Sequence, residues 1–135
     1  MKQNIFFSSF FVFSLLVSCA ETKEVRREET KESNASIKIQ EIGLEVMTKD
    51  LGQMKWYDAT EKVKELGGGW RLPTIEEFEE IYKYKDKIGG FAKANYWSST
   101  EYGGNDAWYQ GCFNGSQGGS NKANFYYVRA VRSLK

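Results

Sequence analysis

Gly68-Gly69-Trp70-Arg71-Leu72-Pro73-Thr74-Ile75-Glu76-Glu77-Phe78 is the stretch from which the organisation of this chain can be read. Pro73 drives Leu72 toward an extended backbone, so Trp70 to Leu72 read as a short buried link between elements. Thr74 and Glu77 stand three apart, the spacing of a capping box: a hydroxyl for the third helical amide and a carboxylate reaching back to the cap's own amide. A helix therefore opens at Ile75, with Ile75, Phe78, Ile81 and Tyr82 as its apolar stripe. Glu76, Glu77, Glu79 and Glu80 fill its first turns and Lys83, Lys85 and Lys87 follow near its end, which complements the helix dipole.

Upstream, Ala59, Val63 and Leu66 recur at i, i+4 and i+7 behind Trp56, and Gly67-Gly68-Gly69 offers left-handed residues to end a helix over about 57–66. Before it, Ile37, Ile39, Ile42, Leu44 and Val46 mostly alternate, which predicts one or two short strands with one buried face. Downstream, strands are expected at about 95–99, 107–113 and 125–133, with Gly103-Gly104 and a glycine-rich loop from Asn114 to Asn124 between them. On the middle strand, period two sets Trp108, Gln110 and Cys112 on one face and Tyr109, Gly111 and Phe113 on the other. The fold class is α+β.

The N-terminus has a different composition. Lys2 precedes an apolar run from Ile5 to Val17, too short for a spanning helix of about 20 residues and of secretory-leader length. Leu16-Val17-Ser18-Cys19 resembles the bacterial lipobox, which implies that residues 1–18 are a signal peptide and that Cys19 becomes the lipidated N-terminus. Ala20 stands where an aspartate would retain a lipoprotein in the inner membrane, so the resemblance favours the outer membrane, on its periplasmic or cell-surface side. Residues 20–36 carry four basic and five acidic side chains and almost no large apolar one. Such a stretch cannot bury enough surface to offset ordering entropy and reads, with Cys19, as a disordered charged tether. One domain, 37–135, remains.

Nineteen basic side chains against 18 acidic ones exclude the strong positive field of a nucleic-acid binder. The chain contains no histidine, which removes the usual general base of a nucleophilic triad and the commonest metal ligand. A non-enzymatic protein without cofactor or metal is expected.

Gly68 to Thr74 with its acidic helix, Tyr96-Trp-Ser-Ser-Thr-Glu101, Ala107-Trp-Tyr109 and Tyr127-Val-Arg-Ala-Val-Arg132 follow one another as in a known group. From about Gly43 to Arg132 the chain resembles the DUF1566 family, also called the Legionella collagen-like protein C-terminal domain. The resemblance implies a C-type-lectin-like fold, two helices packed on a small twisted antiparallel sheet with long glycine-rich loops, and a role in display and binding. That fold is related to the formylglycine-generating enzymes. They need a pair of cysteines for copper, and Cys112 is the lone cysteine of this domain. Calcium-dependent lectins read sugars through a proline-containing motif, and Pro73, the chain's single proline, belongs to a different one.

Trp70, Trp97 and Trp108 are expected in the core, with Leu72, Pro73 and Thr74 shaping the link, and Arg71, Arg129 and Arg132 as braces to backbone or carboxylates. Cys112 reads as a small buried hydrophobe, and Lys83, Lys85, Lys87 and Lys93 could contact an acidic polysaccharide but, beside four glutamates, read first as a solvated helix end. The expected ligand surface is a loop face: Tyr102, Asn105 and Asp106 before the middle strand, and Asn114, Gln117, Asn121, Lys122, Asn124 and Tyr126 after it. Amides and tyrosines pair with sugar hydroxyls and stack on sugar faces. The leading reading is thus a lipid-tethered binding or adhesion module for a glycan, an envelope polymer, or an envelope or host protein. The alternatives are an enzyme working through Glu101 and Asp106, and a purely structural envelope protein.

Overall fold

The computed structural model describes residues 35–135, so the expected signal peptide (1–18), the lipobox-like Leu16–Cys19 and most of the expected tether lie outside the described residues. β1 (Ser36–Ile39) and β2 (Leu44–Met47) form an antiparallel pair, reversed by a 3-10 turn over Gln40–Ile42 that ends on Gly43 at φ 68°. After the two-residue β3 (Gln53–Met54) comes α1 (Trp56–Glu65), then α2 (Ile75–Lys83) and the single turn α3 (Lys85–Ile88). β4 (Asn95–Gly103), β5 (Asp106–Gly111), β6 (Gln117–Asn121), β7 (Tyr126–Tyr127) and β8 (Val131–Ser133) complete a mixed α+β fold.

The Trp70–Thr74 link acts as the hub. The amide and carbonyl of Arg71 exchange 2.9 Å bonds with those of Val131, and the carbonyl of Pro73 accepts from Ser99. The capping box forms as expected: Thr74 Oγ1 accepts from the Glu77 amide at 3.1 Å, and Glu77 accepts from the Thr74 amide at 3.0 Å. The same carboxylate takes both terminal nitrogens of Arg71, at 2.7 and 2.9 Å. Burial alone would push the Glu77 acid up, but these bonds outweigh it and hold it below the ordinary glutamate range. Arg71, Pro73, Thr74 and Glu77 therefore work as one joint between β8 and α2.

Three expectations need correction. The strand read at 125–133 is two strands in different sheets, and the small antiparallel sheet is a three-stranded one ordered β1-β2-β8 plus a five-stranded one ordered β3-β7-β4-β5-β6. β7 runs parallel to β4 through Tyr96 and Tyr127, so the larger sheet is mixed. The chain changes sheets at Val128–Ala130, all buried. The loop read from Asn114 to Asn124 contains β6, paired to β5 in continuous antiparallel register. Its glycines make room for rings: a Cβ on Gly119 would lie 2.5 Å from the Tyr102 ring, and one on Gly118 3.1 Å from the Tyr109 hydroxyl. The acidic helix stops at Lys83, so Lys85 and Lys87 belong to α3.

Neighbouring residues of β4 serve two cores, as strand alternation requires. Tyr96 packs with Phe78 and Ile81 of α2, Ile88, and Ile39, Leu44, Val46 and Val131 of the small sheet. Trp97 packs with Trp56, Ala59 and Val63 of α1, Leu72 and Val128. Each such fully buried side chain contributes roughly 1.5–3 kcal/mol. Trp97 is wholly buried, whereas Trp70 and Trp108 are only half-buried and so are not core residues in the sense expected. Arg132 lies 4.5 Å over the Trp70 ring, and Trp108 meets Tyr102 edge-on at 4.8 Å.

Arg129, fully buried, ties the crossover down. Its Nε and one terminal nitrogen reach Asp50 Oδ1 at 2.7 Å, and its terminal nitrogens donate to the carbonyls of Met47 (2.8 Å), Gly89 (3.1 Å) and Gly90 (2.8 Å). Phe91 covers the guanidinium at 4.0 Å. Burial pushes the Tyr96 phenol well up, so it stays protonated and donates to Asp50 Oδ2 at 2.8 Å. A buried charge is tolerable only when satisfied in this way.

Candidate functional site

The nine residues expected on one loop face are divided by the structure between two ends of the five-stranded sheet, apart from Gln117. At the β4–β5 hairpin end stand Tyr102, Asn105, Asp106, Asn121, Lys122 and Asn124. There Asn121, Asn124 and Lys122 are engaged within the fold, whereas the Asn105 and Asp106 side chains enter no hydrogen bond or ion pair among the described residues and Tyr102 is exposed. Asn121 Oδ1 accepts from the Ala123 amide at 2.9 Å, Asn124 Nδ2 donates to Ser120 Oγ at 2.8 Å, and the Asn105 carbonyl accepts from the Lys122 amide at 2.8 Å. Asp106 sits in register opposite Asn121. Lys122 is not a loop-surface residue at all. It is 5% exposed, donates to Glu101 Oε2 at 2.7 Å, and lies over the rings of Trp56 (4.5 Å) and Tyr57 (5.4 Å). The bond to Glu101 holds its ammonium above the usual lysine range. Gln117 is likewise spoken for, donating to the carbonyl of Ile75 at 3.2 Å and to Gln110 at 2.8 Å.

The other end differs. A cleft of about 480 Å³ is bounded by β3, the approach to β4, β5, the turn after β5, and β7. Of the expected residues only Asn114 and Tyr126 line it. Tyr126 is fixed between Trp97 (4.5 Å) and Tyr109 (5.4 Å), with its hydroxyl 2.9 Å from Ser120 Oγ. Two phenylalanines stand at the cleft largely in solvent, Phe113 at 67% and Phe125 at 59% exposure. Exposed aromatic rings beside a concavity are the uncommon observation on a small domain, more informative than exposed polar side chains.

The polar lining is concentrated over Gly111. A Cβ there would lie 2.7 Å from Ser116 Oγ, 3.0 Å from Asn114 Oδ1 and 3.3 Å from Asn95 Oδ1, so the glycine lets three polar side chains converge. Asn114 Oδ1 accepts from the Ser116 amide at 3.0 Å, which sets its orientation. The Asn95 amide and the Lys93 ammonium enter no side-chain hydrogen bond or ion pair among the described residues. Lys93 is the one ionised side chain of the lining and no carboxylate shares it. Lys55 adds a second positive charge near the rim, 5.8 Å over the Phe125 ring.

Sequence reasoning missed Asn95, Phe113 and Phe125. Lys93 was grouped with the helix-end lysines, but the structure sets these apart: Lys83 pairs with Glu80 at 2.6 Å and Lys85 donates to the Cys112 carbonyl at 3.4 Å. Phe113 and Phe125 were detectable as large apolar residues in polar, glycine-rich surroundings. Cys112 is buried just past the end of β5 in the α2-side core, away from the half-exposed Trp108. Burial pushes its thiol up to about 12, which removes nucleophilic character at neutral pH.

Two further hollows are less suited to a polar ligand site. One, of about 370 Å³, is bounded by Trp56, Val63, Trp70 and Leu72, and its Arg71 and Glu77 are already paired. The other, of about 750 Å³, adjoins Gly68 and the C-terminus, where Arg132 donates to Glu45 at 2.8 Å. No group of three or more acidic or cysteine side chains that could hold a metal is present among the described residues.

Fold and cleft define a small α+β domain with an aromatic, amide-bearing concavity on its larger sheet. The chain belongs to the Lcl C-terminal domain family, DUF1566, whose model matches residues 22–132. The match begins upstream of Gly43, where the resemblance was first visible, and takes in part of the charged stretch. No curated protein matches the chain.

Proposed function

We propose that this protein is an extracytoplasmic binding module, held to the outer membrane by lipid on Cys19, and that its ligand enters the cleft between β3, β7, β4 and β5. The observation that carries the reading is the pairing of exposed Phe113 and Phe125 with a polar lining that includes the Asn95 and Lys93 side chains, which have no hydrogen-bond or ion-pair partner among the described residues. Desolvated aromatics beside a few oriented polar groups are the usual composition of a recognition site. A C-type-lectin-like arrangement accords with the two helices and long excursions around a mixed sheet. Binding rather than catalysis is supported by the state of one acidic candidate: the Glu101 carboxylate is taken by Lys122.

The test uses the full chain in detergent. Wild type and the Phe113→Ala/Phe125→Ala double variant are compared for retention on purified envelope polymers and glycan arrays, with circular dichroism as the folding control. Loss of retention with an unchanged spectrum supports the cleft, and equal retention refutes it. The anchor is tested separately: the mature protein should carry an acylated Cys19 by mass spectrometry, and an unmodified N-terminus elsewhere would remove that part of the proposal.

A further inference from the structure

We infer that the cleft takes a saccharide carrying a single carboxylate, its sugar faces stacked on Phe113 and Phe125, its hydroxyls paired with Asn95, and its carboxylate paired with Lys93. This rests on the reading of the cleft as the binding site and narrows it to one chemical class.

Three features of the cleft lead to that class. The first is the position of its strands. In the order β3-β7-β4-β5-β6, the strands β7, β4 and β5 are all internal, so their backbones are already paired on both sides. A peptide that binds by adding a strand needs a free sheet edge, and at this cleft only the two-residue β3 offers one, through Gln53. Recognition therefore falls mainly to side chains.

The second is what those side chains are. Flat rings with high exposure stand beside amides and phenols that donate and accept in fixed directions. A pyranose presents the matching alternation, an apolar face of C–H groups and a rim of hydroxyls. Asn95, Asn114 and Ser116 converge over Gly111, so the polar side of the cleft is gathered at one place.

The third is charge. Lys93 is the one ionised group in the lining, it has no ion-pair partner among the described residues, and no carboxylate competes with a ligand for it. One carboxylate on the ligand satisfies it. A polysulfated chain would leave nearly all of its charges unmatched here.

The experiment titrates the full chain in detergent with matched pairs of probes that differ by one carboxylate: sialyllactose against its methyl ester, and galacturonic acid against its methyl ester. At least one acidic member should bind about tenfold or more tightly than its neutral partner. Lys93→Met should abolish that difference without weakening the neutral member, and the Phe113→Ala/Phe125→Ala variant should weaken both members. Equal affinity within both pairs would overturn the carboxylate. Binding of a heparin-derived octasaccharide that falls steeply with salt and ignores the phenylalanines would overturn the class in favour of a polyanion. If no sugar probe binds, the inference fails. The cleft reading then survives only if the double phenylalanine variant still loses retention on envelope polymers, so the two failures are distinguishable.

Discussion

The hairpin and cleft regions of the five-stranded sheet are built from similar residues and differ in how their lysines and asparagines are engaged. At the hairpin end Asn121, Asn124, Lys122 and Glu101 are paired with one another or with local backbone, and even the lysine charge is covered by Trp56 and Tyr57. At the cleft end Asn95 and Lys93 have no protein partner among the described residues, and Phe113 and Phe125 stand in solvent. An asparagine in a glycine-rich turn is equally polar in both places. What separates a turn from a site is whether the folded chain has already used its hydrogen bonds, because a group satisfied internally must break a bond to meet a ligand.

That contrast predicts a gradient of stability effects running opposite to the gradient of binding effects. The largest belongs to the most completely satisfied charge. Arg129→Met leaves the Asp50 carboxylate without its cation, with only the Tyr96 bond remaining among the described residues, and takes the guanidinium donors from three carbonyls, so it should cost about 3–5 kcal/mol, a large share of the roughly 5–15 kcal/mol holding a domain together. The urea midpoint measures it, and a shift under a third of that size would show that the brace is dispensable.

Lys122→Met comes next. It keeps the stem against Trp56 but removes the bond to Glu101, so the melting temperature should fall, less than for Arg129→Met, while affinity for any cleft ligand stays at the wild-type value. A loss of affinity larger than the loss of stability would join the two ends into one site and undo the contrast.

A pH series sharpens the internal side of the comparison. Hydrogen bonds from Arg132 and Ser36 hold Glu45 below its ordinary value, and those from Arg71 and Thr74 overcome burial to do the same for Glu77. A depressed folded-state value means that these carboxylates stabilise the fold fully above the unfolded value of about 4.5, and that the contribution is lost as pH falls through the lower folded value. Glu45→Gln should lower stability at pH 7 and flatten the acid arm of the curve. An unchanged slope would remove the carboxylate from the account.

The smallest effect on stability is expected where the largest effect on binding lies. Asn95→Ala and Phe113→Ala should each move the folding free energy by no more than about 0.5 kcal/mol, since neither side chain is buried. A destabilisation several times that size would recast the cleft as an ordinary part of the scaffold.

Much of the frame was legible in the sequence because local rules agree with the tertiary structure there. Thr74 and Glu77 form the box their spacing announces, Ala59 and Val63 face the core, and Pro73 keeps the link extended. The failures have tertiary causes. Gly118 and Gly119 read as loop residues, yet they lie in a strand because the rings of Tyr109 and Tyr102 occupy the space that side chains would need. Residues 125–133 alternate like one strand, and nothing local marks the change of sheet, which Arg129 fixes through partners some 80 residues earlier in the chain. The site was half legible. Residue types suited to recognition were visible, but their partners were not, and Lys122 shows how a surface-looking lysine becomes a buried latch.

The β1-β2-β8 sheet has a consequence for how such a chain comes to be folded at all. β2 waits for β8, with Glu45 and Arg132 separated by 87 residues and Met47 and Arg129 by 82, so the small sheet and the buried brace close only when the last turn of sequence is present. Contacts this distant along the chain make folding slow relative to local structures. A channel that passes an unfolded polypeptide from its N-terminus onward would therefore release nearly the whole domain before its fold could lock, and a chain cut short before Arg129 would lack both the brace and the strand that completes the small sheet.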